Sequence, residues 1–184
     1  DFIIIYLVSI AVVTVFWAAY IRVHNGSRFA KTALLLCAAL CFYILGYAME
    51  LNSASESQIL FWNHVEYIGI PFVSALWLST ALLYTGLFGR HKVLLTIAIF
   101  AIPVVTLVLR YTNDYHHLYF ASTSFVEALG KPFFIKQSGV WMYVQTVHSM
   151  SMILVSMALL IRDAVKSGER HPGKIWMTAL ASLF

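Results

Sequence analysis

Long apolar runs separated by short polar segments dominate the chain. Five of these runs are long enough to cross a bilayer, whose hydrocarbon core of about 30 Å needs about 20 apolar residues per helix. A sixth run stops at Phe184, so we expect the chain to be a fragment. The pattern predicts an all-α, polytopic transmembrane helix bundle, one membrane-embedded domain over 1–184, with spans at about 2–21, 32–51, 59–84, 93–109, 139–161 and, truncated, 175–184.

The longest connection between spans covers about residues 110–138. Its mixture of Thr, Asn, Asp, His, Gly and Pro predicts an ordered surface segment with one short helix or a hairpin. In the fourth span, Pro103 is expected to kink the helix, because proline removes a backbone donor.

Composition narrows the class of protein further. Hydrophobic residues make up 61% of the chain and charged residues only 11%, which is far from the composition of a soluble domain. The net charge of +4 does not indicate nucleic acid, because the basic residues lie in short clusters between apolar runs. Cys37 and Cys41, one helical turn apart in a span, are expected to be small buried residues.

The basic residues also predict an orientation. Nine of the twelve Lys and Arg residues follow the first, third and fifth spans, and three lie on the other side. By the positive-inside rule, the nine face the cytoplasm and the N-terminus is outside a multi-pass inner-membrane protein. The nine are Arg22, Arg28, Lys31, Arg90, Lys92, Arg162, Lys166, Arg170 and Lys174, and the three are Arg110, Lys131 and Lys136.

With this orientation, polar and aromatic side chains gather in the outer half of the bundle. Glu50 ends the second span, and the third span carries Trp62, Glu66 and Trp77 on one helical face. In the fifth span, a similar face holds Trp141, Gln145 and His148. These side chains and the loop residues His116 and His117 are the candidates for a binding site, and adjacent histidines seldom converge on one metal ion.

Structural roles compete with binding at each of these positions. An ionisable residue inside the bilayer costs about 2.5–3.5 kcal/mol, so Glu66 and His148 should face the interior and have partners. Glu66 either contacts a ligand or joins helices through Arg110 or His148. For tryptophan, Trp62 and Trp141 suit an interfacial belt, whereas Trp77 lies deeper and either packs or lines a cavity.

Several short motifs, in this order and spacing, resemble one known family. They are GYAMEL at 46–51, FW at 61–62, YIGIPF at 67–72, WLSTALLYTG at 77–86, IP at 102–103, TNDYHHL at 112–118 and GVW at 139–141. Together they resemble the N-terminal seven-transmembrane sensor region of bacterial histidine kinases, which also precedes diguanylate cyclase modules. The family pattern carries over to Glu50, Trp62, Tyr67, Gly69, Trp77, Thr112, Asn113, His116 or His117, and Trp141.

The resemblance implies a seven-helix receptor with a cytoplasmic C-terminus, a signalling domain after it, and a homodimer formed through the parts that follow. We expect no enzymatic activity, cofactor or metal in the chain itself. The expected ligand is a small, largely apolar or aromatic molecule in an outer-leaflet pocket between spans two, three and five. The residues expected to bind it are Glu50, Trp62, Glu66, Tyr67, Trp77, His116, Trp141, Gln145 and His148.

Two other classes of function remain as alternatives. A proton- or cation-coupled transporter would use Glu66 as its ion site, but the sequence has no internal repeat and no paired helix breaks. An intramembrane enzyme would need a nucleophile with its base or a set of metal ligands, and the corresponding motifs are absent from the sequence.

Overall fold

Five long helices form the body of the protein. The computed structural model describes residues 2–24, 26–89, 92–128 and 131–167, and the sixth predicted span at 175–184 lies outside them. The long helices are α1 (Phe2–His24), α2 (Arg28–Asn52), α3 (Glu56–Tyr84), α4 (Lys92–Tyr111) and α6 (Val140–Ser167). Each is long and apolar enough to cross a membrane, which confirms the prediction of a polytopic helix bundle.

Serine caps begin two of these helices. The side chain of Ser27 accepts a hydrogen bond from the backbone N–H of Ala30 at the start of α2. At the start of α3, Ser55 accepts one from Gln58 in the same way. Each cap satisfies a backbone donor that has no partner inside the helix, which fixes where the helix begins.

The helix α3 lies at the centre of the bundle. It packs against α2, α4 and α6, and 56% of its most apolar stretch is buried, against 6% for α1. The helices α2 and α3 pack closely because glycines lie where they meet. A Cβ atom on Gly69 would lie 2.1 Å from the carbonyl oxygen of Ala39, and one on Gly46 would lie 2.8 Å from the backbone nitrogen of Glu66. The small residues thus bring Glu66 directly beside α2.

The connection between α4 and α6 folds into a short helix and a hairpin. Arg110 and Tyr111 still belong to α4, so the connection begins two residues later than the sequence predicts. It contains α5 (Asn113–His116) and the antiparallel strands β1 (Phe120–Ala128) and β2 (Lys131–Ser138). The end of the bundle that carries β1 and β2 is called the hairpin end below.

Asn113 fixes the base of the hairpin to the bundle. Its side-chain oxygen accepts hydrogen bonds from the backbone N–H groups of Tyr119 and Phe120, and its amide nitrogen donates to the Phe120 carbonyl. Tyr119 and Phe120 are buried against Tyr67 of α3. The hairpin is therefore packed onto the helices at its base rather than attached only through the chain.

Candidate functional site

Two carboxylates from neighbouring helices meet at one buried amide. Asn63 of α3 is fully buried, and its Nδ2 donates to Glu50 Oε2 at 2.9 Å and to Glu66 Oε1 at 3.0 Å. Glu50 comes from the last turn of α2, and Glu66 lies one turn beyond Asn63 on α3. The amide therefore holds the acids of α2 and α3 against each other.

A guanidinium from α4 reaches the same amide from its other side. Arg110, only 5% exposed, donates through Nη2 to Asn63 Oδ1. Its Cζ atom lies 5.0 Å from the ring centroid of Tyr67 and 4.9 Å from that of Phe120, so two aromatic faces flank the charge. Within the described residues, Arg110 Nε has no hydrogen-bond partner.

Tyr119 lies beside this arginine but does not neutralise it. Burial raises the pKa of its phenol above the usual value, so the group stays protonated at physiological pH. The ring of Tyr119 instead packs edge-on against those of Tyr67 and Phe120, with centroid distances of 5.3 Å and 5.0 Å. The charge of Arg110 is therefore stabilised by the Asn63 amide and by aromatic faces.

The hairpin supplies a second cation. Lys136 of β2 donates through Nζ to Glu50 Oε1 at 3.0 Å, and the same atom lies 4.9 Å from the ring centroid of Phe134. The side chains of Lys136 and Glu50 are 24% and 12% exposed, so this ion pair is the more accessible edge of the group. We call Glu50, Asn63, Glu66, Arg110 and Lys136 the carboxylate cluster.

A second polar network joins α3, α4 and α6 deeper in the bundle. Trp141 donates through Nε1 to Thr106 Oγ1 at 2.8 Å, and Thr106 donates to Gln145 Oε1 at 2.7 Å. Gln145 Nε2 donates to Ser149 Oγ at 3.0 Å and contacts the Pro71 carbonyl oxygen at 3.4 Å. Trp141 and Gln145 therefore have partners on neighbouring helices, as structural side chains do.

His148 lies one turn beyond Gln145 but belongs to neither group. It is 8% exposed, and neither ring nitrogen has a hydrogen-bond partner in the described part of the chain. It lines a groove of about 450 Å³ between α4 and α6, whose other walls are Ile102, Tyr143, Val144, Val147 and Ser151. The structure thus separates His148 from Glu66, its suggested partner in the sequence.

The remaining predicted site residues lie in three different places. Trp62 packs edge-on against Phe61 at a centroid distance of 5.1 Å, and Trp77 packs on a core cluster formed by α2 and α3. His116 is held within its own loop, where Nδ1 accepts from the Leu118 N–H and Nε2 contacts Thr112 Oγ1, each at 3.0 Å. The two nitrogens of His116 are thus engaged in shaping the loop.

The sequence prediction omits Asn63, the residue that joins the cluster. A signal was present, because Asn63 is one helical turn from Glu66 within a predicted span and is itself costly to bury without partners. Lys136 was expected only on the outer side, and its contact with Glu50 was not predicted. Arg110 was expected as a possible partner of Glu66, but it donates to Asn63 instead. Among the described residues, no group of three His, Cys, Asp or Glu side chains is placed to hold a metal ion.

Apolar membrane-length helices, joined at one end by a buried ionic cluster under a hairpin, define a multi-pass membrane protein with a polar centre. A family model described as the N-terminal 7TM region of histidine kinase matches residues 3–184. The chain belongs to this family and is a membrane sensor region, in line with the expectation that it is not itself catalytic. No curated protein and no solved structure matches it.

Proposed function

We propose that this chain is the receptor module of a bacterial signalling protein and binds a small ligand at the carboxylate cluster. The ligand has a largely apolar or aromatic body and one polar end, and the output domain after the membrane region is a histidine kinase or a diguanylate cyclase. Membership of the sensor family supports the signalling role. The binding role rests on the cluster itself.

One observation carries the proposal: the fully buried Asn63 amide connects ionisable side chains from three helices inside a membrane protein. Such residues are expensive within a bilayer and commonly mark functional sites. The pair between Lys136 and Glu50 is its accessible edge, and the Phe134 ring beside Lys136 offers an aromatic surface. A polar ligand group that replaces Lys136 on Glu50 would enter without first opening the core.

The same arrangement suggests how binding becomes a signal. Glu50, Asn63 and Arg110 come from α2, α3 and α4 and share one set of hydrogen bonds, so exchanging one partner changes the balance among all three helices. A ligand that prefers one arrangement shifts the population toward it. Small shifts of packed helices then pass to the far end of the bundle, where the output domain follows.

The orientation within this proposal places the hairpin end outside the inner membrane. At the opposite end, Arg28, Lys31, Lys92, Arg162 and Lys166 are all exposed, which agrees with a cytoplasmic face.

Cysteine labelling in spheroplasts tests this orientation. With Cys37 and Cys41 replaced by alanine, we expect a membrane-impermeant maleimide to label Glu127→Cys on the hairpin directly. Lys166→Cys, near the end of α6, should react only after permeabilisation. The opposite pattern would reverse the orientation.

The ligand site is tested by thermal-shift screening of the purified chain against small aromatic and aliphatic amines, alcohols and amides. A hit should stabilise wild type and the matched control Glu56→Gln, an exposed acid in the first turn of α3. It should stabilise Glu50→Gln and Glu66→Gln much less, because these variants replace the carboxyl group by an amide but keep the shape of the side chain. Equal stabilisation of all four proteins would place the ligand elsewhere.

A further inference from the structure

His148 is the one described histidine that is buried with both ring nitrogens unpartnered. A neutral imidazole has one N–H donor and one acceptor nitrogen, and both lose water as hydrogen-bonding partner when the ring is buried within a membrane span. The described neighbours in α6 do not help it, because Gln145 and Ser149 are engaged with each other. In the described part of the chain, the His148 ring therefore has no hydrogen-bond partner, and it can pair with a polar group from elsewhere.

The groove beside His148 is shallow and open on one side, on a flank of the bundle that the described helices leave uncovered. Its walls bound an open space of about 450 Å³, so a small molecule lying there would keep one side uncovered by the described helices. Tyr143 and Val147 on its rim are 64% and 67% exposed in a helix of membrane-spanning length, so no other described helix covers this side of the groove. Ser151 lines it too, and its hydroxyl donates to the Val147 carbonyl, which leaves the oxygen as an acceptor.

We propose that this groove binds a neutral, membrane-dissolved molecule with an apolar body and one hydroxyl group, which hydrogen-bonds to His148. A hydroxyl suits the imidazole because it both donates and accepts, and so can pair with either ring nitrogen. The apolar walls match an aliphatic or alicyclic body, and entry is sideways from the bilayer. This site is distinct from the carboxylate cluster and does not depend on the ligand proposed there.

Occupation of the groove would act on the contact between α4 and α6. Ile102 of α4 and Val144 of α6 form facing walls, and the Thr106–Gln145 hydrogen bond joins the same two helices nearby. A molecule seated between the walls sets the spacing of these helices on the lipid side. The groove is therefore a second input to the sensor region, from the membrane rather than from the aqueous side.

Photolabelling of the purified chain in phosphatidylcholine nanodiscs tests the site. The probes are a diazirine-bearing dodecanol and the matching dodecane without the hydroxyl, and labelled positions are mapped by mass spectrometry. We expect the alcohol to label residues 143–151 at least fivefold more than the alkane. His148→Leu should lower alcohol labelling about five- to tenfold, as loss of one hydrogen bond predicts. The control His64→Leu, on α3, should not.

His148→Gln, which keeps a donor and an acceptor, should retain labelling and serves if His148→Leu fails to fold. Equal labelling by both probes, unchanged in either His148 variant, would overturn the proposal, since ordinary lipid contact would explain it. Absence of labelling at 143–151 would also overturn it, because another helix would then cover the groove. Spontaneous disulfide dimers of Val147→Cys, with Cys37 and Cys41 replaced, would identify that helix as belonging to a second copy.

Discussion

Replacing Asn63 by leucine removes the centre of the carboxylate cluster without a large change in side-chain volume. The variant loses the donor to Glu50 and Glu66 and the acceptor for Arg110. Glu50 keeps its contact with Lys136. Among the described residues, Arg110 keeps no hydrogen-bond partner, so its charge dominates the expected loss.

The size of the stability loss distinguishes two descriptions of the cluster: a set of ordinary interhelical hydrogen bonds, or a site that holds a buried charge. Interhelical hydrogen bonds in membrane proteins average about 0.6 kcal/mol in double-mutant cycles. Removing the hydrogen-bond partner of a buried group costs about 1–3 kcal/mol, and the cost is larger when the group is charged, approaching the roughly 3–5 kcal/mol of a broken buried ion pair. The Arg110 side chain is only 5% exposed, so its charge is buried. We therefore expect Asn63→Leu to lower the free energy of unfolding by about 3–5 kcal/mol.

The assay is unfolding in mixed micelles with increasing sodium dodecyl sulfate, followed by tryptophan fluorescence. The control is Asn52→Leu, an exposed asparagine at the end of α2 that should change stability by about 0.5 kcal/mol or less. Adding Arg110→Met to Asn63→Leu should recover much of the loss, since the unpaired charge disappears. A loss below about 1 kcal/mol for Asn63→Leu, with no recovery in the double variant, would refute the reasoning.

Three further substitutions probe the helix contacts around the site. Gly69→Ala should destabilise the protein by at least about 1–3 kcal/mol in the same unfolding assay, because its Cβ would lie 2.1 Å from an α2 carbonyl oxygen. Unchanged stability would mean that α2 and α3 separate easily. Lys136→Met should cost about 1 kcal/mol or less and speed protease cleavage of the hairpin, and wild type should lose this protection in high salt. Equal cleavage rates would argue against the ion pair. Trp141→Phe should cost about 1 kcal/mol through its lost hydrogen bond, and the loss should vanish when Thr106 is already valine.

Hydropathy predicted the helices well because a span is a long signal with a fixed physical length. Four of the five observed helices cover their predicted runs and extend them by one to four residues at an end, whereas α6 begins one residue later than predicted and ends six residues further on. The hairpin was harder to place, because a short, mixed connection has no comparable periodic signal. Arg110 illustrates the consequence: its position at the end of a span suggests an interfacial side chain, yet the hairpin folds back and buries it against Phe120.

For the site, the sequence predicted which residues share a helix face but not which neighbour each one meets. Gln145 and His148 are three residues apart, which is a rotation of about 60° around the helix. This rotation directs Gln145 to α3 and α4, and His148 to the groove. Glu50 and Glu66, by contrast, are brought together by the depth at which α2 ends and α3 begins, and by the glycines between them.

The order of charges along the chain also constrains how the protein is made. Both acids of the cluster emerge from the ribosome before either cation, and Lys136 follows Glu50 by 86 residues. At elongation speeds of about 5–20 residues per second, that interval is roughly 4–17 s. During it, the two acids of α2 and α3 lack the cation that the hairpin supplies. The cluster is therefore completed only when the hairpin is synthesised, and α6 still follows it in the chain.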